Sequence, residues 1–98
     1  MNNTYQIFLI SDSTGETLDR IFLALKAQFK NFEYKIHSYS FTRTKNQILT
    51  IIDIANKQKN SVILYTIVDN GLEKFLSQES NKVRIPCFGV LSNLILSF

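Results

Sequence analysis

Residues 11–15 read Ser-Asp-Ser-Thr-Gly, which places three hydroxyls, a carboxylate and a glycine between an apolar run and the start of a helical pattern. Two kinds of chemistry fit. A phosphate group could be held there: Ser11, Ser13 and Thr14 supply donors, and the free N–H groups and dipole of a helix N-terminus favour an anion. The same residues also fit a purely local role. Ser13-Thr14-Gly15-Glu16 matches the S/T-x-x-E capping box, in which the hydroxyl accepts from the N–H of Glu16 and the glutamate reaches back. Thr44-Lys45-Asn46-Gln47 matches the same box further along. Asp12 carries the wrong charge for holding phosphate unless it serves a metal or acts as a base. The run is neither a Walker A sequence nor a G-x-G-x-x-G fingerprint. Both readings stay open at this level, with Ser11, Asp12, Ser13, Thr14 and Gly15 as the candidate phosphate or substrate contacts.

Fewer signals surround this stretch. Arg43, Thr44 and Lys45 follow an aromatic-rich run and could face a phosphate, or simply begin a helix in solvent. Asp69 and Asn70 follow a second apolar run, where helix capping competes with a site role. His37 sits in an alternating stretch and reads as a surface or half-buried histidine. Cys87 lies among apolar residues and reads as core. No Ser/His/Asp set and no carboxylate pair can be placed. With one His and one Cys, no metal site is visible.

Those residues must be positioned by elements that the apolar pattern outlines. Residues 5–10 form a short apolar run that ends at small polar residues, as a buried strand does. Leu18, Ile21, Phe22, Leu25 and Phe29 recur at helical spacing. Residues 32–41 alternate, Phe32, Tyr34 and Ile36 against Glu33, Lys35 and His37, which predicts a half-exposed strand at or near a sheet edge. Ile48, Ile51, Ile52 and Ala55 line one face of a helix over 44–59. Residues 61–67 are β-branched and nearly all apolar, a central strand. Leu72, Phe75 and Leu76 suit a short helix over 70–79. Residues 82–90 are a fourth strand candidate, weakened by Pro86, which cannot donate to a ladder.

This alternation predicts an α/β fold: a small parallel sheet, Rossmann-like or flavodoxin-like, of about four strands with flanking helices. The first and third strands are the most apolar and belong inside; the second alternates and belongs outside. Order 2-1-3-4 satisfies both, with 3-2-1-4 as the runner-up. In the first order the winding reverses between strands 1 and 3, and ligands of open α/β sheets bind outside the carboxyl ends of the strands at such a reversal. The loops there are 11–15 and 68–71.

Composition narrows the function classes. The 98 residues suit one domain, and 45% hydrophobic with 19% charged residues is ordinary for a globular protein. The net charge of +3 is scattered along the chain, so no nucleic-acid partner is expected. A single cysteine cannot form an internal disulfide and suits a reducing, cytoplasmic location. The start lacks the basic n-region of a signal peptide, and no apolar run nears the ~20 residues that span a bilayer, so no membrane partner is expected.

The stretches "FLISDSTGETLDRIFLALKAQF", "SYSFTRT", "VILYTIVDNGLEKFL" and "IPCFGVL", in that order, resemble the regulatory proteins of pyruvate, phosphate dikinase and phosphoenolpyruvate synthetase. The resemblance covers nearly the whole chain, and Ser11 to Thr17 is its most specific part. It implies a bifunctional activity: phosphorylation of a threonine on the dikinase or synthetase with ADP as donor, and removal of that phosphate by phosphorolysis, which yields pyrophosphate. ADP and inorganic phosphate are thus the implied substrates, and the dikinase or synthetase the implied partner. Family members are considerably longer. Their nucleotide-binding loop, of the form G-x-S-R-T-S-K-T-P, lies beyond the matched region and has no counterpart in these 98 residues. Gly89 stands where the family pattern P-C-x-D-x-L-G-P has its aspartate. The expectation is therefore a single α/β domain over 1–98, the N-terminal portion of a longer protein, inactive alone. The alternative to truncation is a complete small domain with a docking C-terminal helix, and the alternative function is a non-catalytic α/β fragment or interaction module that binds the target enzyme or another copy of itself. Leu91, Leu94, Ile95 and Phe98 recur at near-helical spacing and, left uncovered, would promote self-association.

Overall fold

A computed structural model describes residues 4–29 and 31–90. Strand β1 (Tyr5–Ser11) leads into helix α1 (Glu16–Leu25), which is prolonged by a 3₁₀ turn (Lys26–Phe29). Then follow β2 (Tyr34–Tyr39), α2 (Lys45–Asn56), β3 (Ser61–Thr66), α3 (Asn70–Lys82) and β4 (Cys87–Gly89). The four strands form one sheet in the order β2-β1-β3-β4, and every pairing is parallel. This is the α/β architecture and the strand order that the apolar pattern predicts.

Burial explains the order. Phe8 and Ile10 of β1 and Ile63 of β3 are fully or almost fully buried, because strands flanked on both sides bury both faces. On β2, at the edge, His37, Tyr34 and Tyr39 are half-buried, and Lys35, Ile36 and Ser38 are exposed. Several of the expected boundaries move, and the second helix, expected over 44–59, ends at Asn56. The second strand spans 34–39, so Phe32 and Phe41 lie outside it. The third helix runs on to Lys82, which shortens the fourth strand to residues 87–89. Pro86 is tolerated because it precedes the strand and contributes only its carbonyl, which accepts from the Ile63 N–H at 2.8 Å.

The two faces of the sheet are covered unequally. Phe8, Ile10, Ile63 and Tyr65 pack with Ile48, Ile51, Ile52 and Ala55 of α2 and with Leu76 of α3. Burying each large aliphatic side chain there contributes roughly 1.5–3 kcal/mol. On the other face, Ile7 and Leu9 meet Leu18 and Phe22 of α1, with Tyr34, Val62, Leu64 and Val90 at the margin. Among the described residues, an apolar groove of about 380 Å³ lies there, lined among others by Tyr5, Phe22, Leu25, Phe32, Tyr34 and Phe88. Of the helical face expected for α1, Leu18 and Phe22 are buried, Ile21 is half-buried and Leu25 is exposed. The Phe29 side chain and the apolar positions Leu91, Leu94, Ile95 and Phe98 lie outside the described residues. Among the described residues no helix is long and apolar enough to cross a membrane.

Candidate functional site at the carboxyl edge of the sheet

The strand order puts the reversal of winding at β1 and β3, and loop 11–15 leaves β1 at that point. The loop is tied down from both neighbours. On the β3 side, the Asp12 N–H donates to the Thr66 carbonyl at 3.3 Å, and the Val68 N–H donates to Asp12 Oδ2 at 2.9 Å. On the β2 side, three consecutive residues donate to three consecutive carbonyls. Thr42 N–H reaches Ser11 O and Phe41 N–H reaches Ser13 O, both at 2.9 Å. Arg43 Nε–H reaches Asp12 O, also at 2.9 Å. Thr42, the middle of these donors, is 2% exposed.

This clamp places one residue in an unusual conformation. Phe41 has φ 53°, in the left-handed region that bulky residues avoid. Its N–H is held by Ser13, its carbonyl accepts from Gln47 Nε2 at 3.3 Å, and the Arg43 guanidinium lies 5.2 Å from its ring centroid. Such conformations persist where their surroundings over-determine them.

The hydroxyls are arranged differently from the expected capping box. Ser11 Oγ accepts from the Ser13 N–H at 3.1 Å and lies 3.3 Å from Ser13 Oγ. Ser13 is thus folded back on β1 and does not cap the helix. The residue preceding α1 is Gly15, at φ 86° and ψ 4°, with no side-chain cap. The physical reason is register. A box needs its serine at the cap and its glutamate three residues on, but the left-handed Gly15 moves the cap two residues along and leaves Glu16 in the first helical position. Space is not what demands glycine, since an added Cβ would sit 3.8 Å from Ser11 Cβ; the positive φ is. Among the described residues, the side-chain acceptor offered to the start of α1 is Thr14 Oγ1, at a long 3.4 Å from the Glu16 N–H.

The other two helices at this edge are closed. Thr44 Oγ1 accepts from the Gln47 N–H at 3.2 Å, and Gln47 Oε1 accepts from the Thr44 and Arg43 N–H groups at 3.0 and 2.7 Å. That is the capping box read from the sequence. Asp69 Oδ1 accepts from the Leu72 N–H at 2.9 Å.

The structure therefore gathers Ser11, Asp12, Ser13, Thr14, Gly15 and Arg43 into one place. Lys45 is directed elsewhere, its ammonium 5.3 Å from the Phe75 ring centroid, and Asp69 is engaged as the cap of α3. His37 pairs with Phe8 in the middle of β1, stacks on its ring at 4.6 Å and meets Gln6 Oε1 through Nε2 at 2.7 Å. Cys87 is half-buried, and burial pushes its thiol up against an opposing hydrogen bond with Ser80. Burial, with Glu73 nearby, pushes the Tyr65 phenol up to about 12. The Tyr65 ring also explains Gly89: a Cβ there would stand 2.7 Å from Tyr65 Oη.

Sequence reasoning missed Ser38, Ser40, Phe41 and Thr42. Ser38 and Ser40 join Ser11, Thr14, Gly15 and Asp19 around a polar recess of about 30 Å³, the scale of one water molecule. The available signal is the parallel register, which sets Ser38 beside Leu9 and so carries the following residues alongside the loop. Chemically, the loop and the first turn of α1 present N–H and hydroxyl donors with a guanidinium beside them, an arrangement suited to phosphoryl oxygens.

Comparison with known proteins gives a consistent picture. The sequence profile described as kinase/pyrophosphorylase matches residues 7–98. A protein of Pelagibacter ubique (strain HTCC1062), named as a pyruvate, phosphate dikinase regulatory protein, is 63% identical over 98 residues, covering 100% of this chain and 36% of its own length. A protein of the same name from Geotalea uraniireducens (strain Rf4) is 40% identical over 90 residues, 92% of this chain and 33% of its own length. Another, from Agrobacterium fabrum (strain C58), is 38% identical over 91 residues, 93% of this chain and 33% of its own length. The chain spans about a third of the length of the curated relatives it matches.

Proposed function

This chain belongs to the kinase/pyrophosphorylase family, and from that premise we propose that it is the N-terminal α/β portion of a regulator of pyruvate, phosphate dikinase or phosphoenolpyruvate synthetase. In this reading the whole protein phosphorylates a threonine of its target with ADP and removes the phosphate by phosphorolysis. Loop 11–15 and the first turn of α1 contact a phosphoryl group. The family's nucleotide-binding loop is supplied by sequence outside these 98 residues, so the chain alone does not transfer phosphate. The protein works in the cytoplasm.

The observation that carries the reading is the open N-terminus of α1 at the winding reversal. Two neighbouring helices at the same edge engage one early N–H each with the side chain of the cap residue, while at α1 the cap is a glycine without such a side chain and Thr14 Oγ1 stands a long 3.4 Å from the Glu16 N–H. The test is a chimera. The Pelagibacter relative is 63% identical across this entire chain, so its matching residues can be replaced by these 98 and the product assayed with dikinase and β-labelled ADP. Labelling of a threonine is the expected result, with loss of labelling when Gly15 is replaced by Val. A folded chimera that does not label the dikinase overturns the reading, and so does labelling by the 98-residue chain alone.

A second reading, a non-catalytic module that binds the dikinase or another copy of itself, is favoured by the apolar groove beside α1. Sedimentation over a concentration range separates the two-copy form of it from a monomer.

A further inference from the structure

We propose that residues 91–98 close the α1 face of the sheet: Leu91, Leu94, Ile95 and Phe98 seat one side of a second helix in the apolar groove between α1 and the β3–β4 edge. The inference is independent of the phosphoryl reading of loop 11–15 and concerns the other end of α1.

The first observation is an imbalance of cover. Both α2 and α3 pack on one face of the sheet, and among the described residues α1 is the one helix that packs on the other. A sheet of four strands spaced about 4.8 Å apart is wider than one helix of about 10 Å. Because α1 connects β1 to β2, Val62 and Leu64 of β3 and Phe88 of β4 are left to line the groove beside it. Leu25 and Phe88 are exposed along that groove.

The second observation is the direction of the chain. Strand β4 ends at Gly89. Val90 follows in helical conformation and packs against the cluster of Ile7, Leu9, Leu18 and Phe22. The chain thus steps off the sheet onto the α1 face, next to the groove, and away from the face that α2 and α3 cover.

The third is the match between the groove and the sequence that comes next. Residues 91–98 lie outside the described residues, and their sequence is Leu-Ser-Asn-Leu-Ile-Leu-Ser-Phe. Leu91, Leu94, Ile95 and Phe98 stand at i, i+3, i+4 and i+7, the stripe of an amphipathic helix, with Ser92, Asn93 and Ser97 on the opposite side. Leu96 is the one apolar residue outside the stripe. The segment carries no charge, and every residue lining the groove is aliphatic or aromatic. The lengths agree as well. Gly89 pairs with Tyr65, and from that level along β3 to Val62 is about 10 Å. Leu91 to Phe98 rises about 10 Å as a helix.

A permanent occupant suits this chemistry better than a visiting one. Surfaces that meet transient partners surround their apolar centre with a polar rim, whereas the polar atoms on the side chains lining this groove are the hydroxyls of Tyr5 and Tyr34. A tethered segment also avoids the loss of translational and rotational freedom that a separate partner incurs. With the segment in place, the groove is no longer open to the dikinase or to a second copy.

The experiment uses the methyl-labelled 98-residue chain and looks for nuclear Overhauser contacts from Leu94 and Ile95 to Val62, Leu64 and Phe88. A sample mixing labelled and unlabelled protein separates contacts within one chain from contacts between two. We expect contacts within one chain, independent of concentration, and a monomer in sedimentation. Leu94→Asp should lower the melting temperature by roughly 10 °C, whereas Leu23→Asp, at a position of α1 that is 57% exposed, should change it little. Contacts seen only between chains would place a second copy in the groove and overturn the proposal. If neither kind of contact appears, the segment does not close the groove and the proposal falls. The contacts of the unaltered chain decide the matter even where Leu94→Asp fails to fold, and none of these outcomes bears on phosphate binding at loop 11–15.

Discussion

The N-termini of α1 and α2 lie at the same edge of the sheet and carry the same short pattern, Ser13-x-x-Glu16 in one case and Thr44-x-x-Gln47 in the other. At α2 the pattern closes on itself, with cap and third residue exchanging hydrogen bonds. At α1 it does not: Ser13 bonds back toward Ser11 and Gly15 takes the cap position in a left-handed conformation. The difference lies in what each segment is attached to. Thr44 lies one residue beyond the tied segment 41–43 and takes the extended cap conformation, φ −130° and ψ 156°. Ser13 belongs to a loop whose carbonyls at 11, 12 and 13 are all claimed by residues 41–43. A capping box is thus a local preference that a tertiary clamp can override, and where it is overridden the helix keeps donors for something else.

The largest effect should come from removing the conformation that keeps α1 open. Gly15→Val places a β-branched residue at φ 86°, and the left-handed region costs an L-residue about 1–2 kcal/mol. Chemical denaturation should register at least that loss. Gly15→Asn, which tolerates the region, should recover most of it. A valine variant as stable as the parent would mean that the loop adopts a right-handed turn with little penalty, and the contrast with α2 would then have no conformational basis.

Next in size is the tie between the loop and β3. Asp12→Ala deletes the acceptor of the Val68 N–H, and hydrogen bonds to charged groups contribute about 1.5–3 kcal/mol. Asp12 is only half-buried, so the low end is expected. The Val68 amide should also lose protection from hydrogen exchange. Unchanged protection would show that the Asp12 carboxylate adds nothing to the backbone ties that hold the loop.

The cap of α2 should be worth somewhat less. Thr44→Ala removes a side-chain acceptor at a helix end exposed to water, for a loss of about 1 kcal/mol. Gln47→Ala should cost a similar amount, because Gln47 Oε1 serves the Arg43 and Thr44 N–H groups together. The two should not add, since each deletes part of one reciprocal unit. Equilibrium unfolding of the single and double variants measures the coupling directly.

The parts of this architecture that were legible in the sequence are those fixed by hydrophobic period. The apolar runs at 5–10 and 61–67 mark the two inner strands, the alternation within 32–41 marks the edge, and together they locate the winding reversal. Ile48, Ile51, Ile52 and Ala55 announce the buried face of α2 and are indeed buried. What stayed hidden depends on contacts distant in sequence. Phe41 and Thr42 are unremarkable until the β1–β2 pairing brings them against residues 11 and 13. The rotation of Asp12 toward Val68 spans 56 positions, and no spacing rule reaches that far. The failure of the box at Ser13 has the same origin, since nothing local in Ser-Thr-Gly-Glu forbids it. The site is visible in the sequence as a list of residue types, and the clamp that gives those types their directions is visible only in three dimensions.

The smallest effect is expected at Ser13, and it is the sharpest test of the comparison because the two helix starts predict different outcomes for equivalent substitutions. If Ser13 capped α1 as Thr44 caps α2, Ser13→Ala would cost about 1 kcal/mol. In the observed arrangement the exposed hydroxyl only approaches Ser11 Oγ at 3.3 Å. The Ser13 N–H to Ser11 Oγ bond and the Phe41 N–H to Ser13 O bond are both backbone interactions of residue 13 and survive the change. Ser13→Ala should therefore shift stability by less than about 0.5 kcal/mol, the range of ordinary surface substitutions. Ser11→Ala should do more, because Ser11 is 2% exposed and its Oγ is the acceptor that holds the Ser13 N–H. Parallel urea unfolding of the two variants and of Thr44→Ala gives the ranking. Thr44 and Ser11 above Ser13 supports an α1 terminus left open by design of the loop. Ser13 equal to Thr44 would put the cap back on α1, and its donors would then no longer be free for a phosphate.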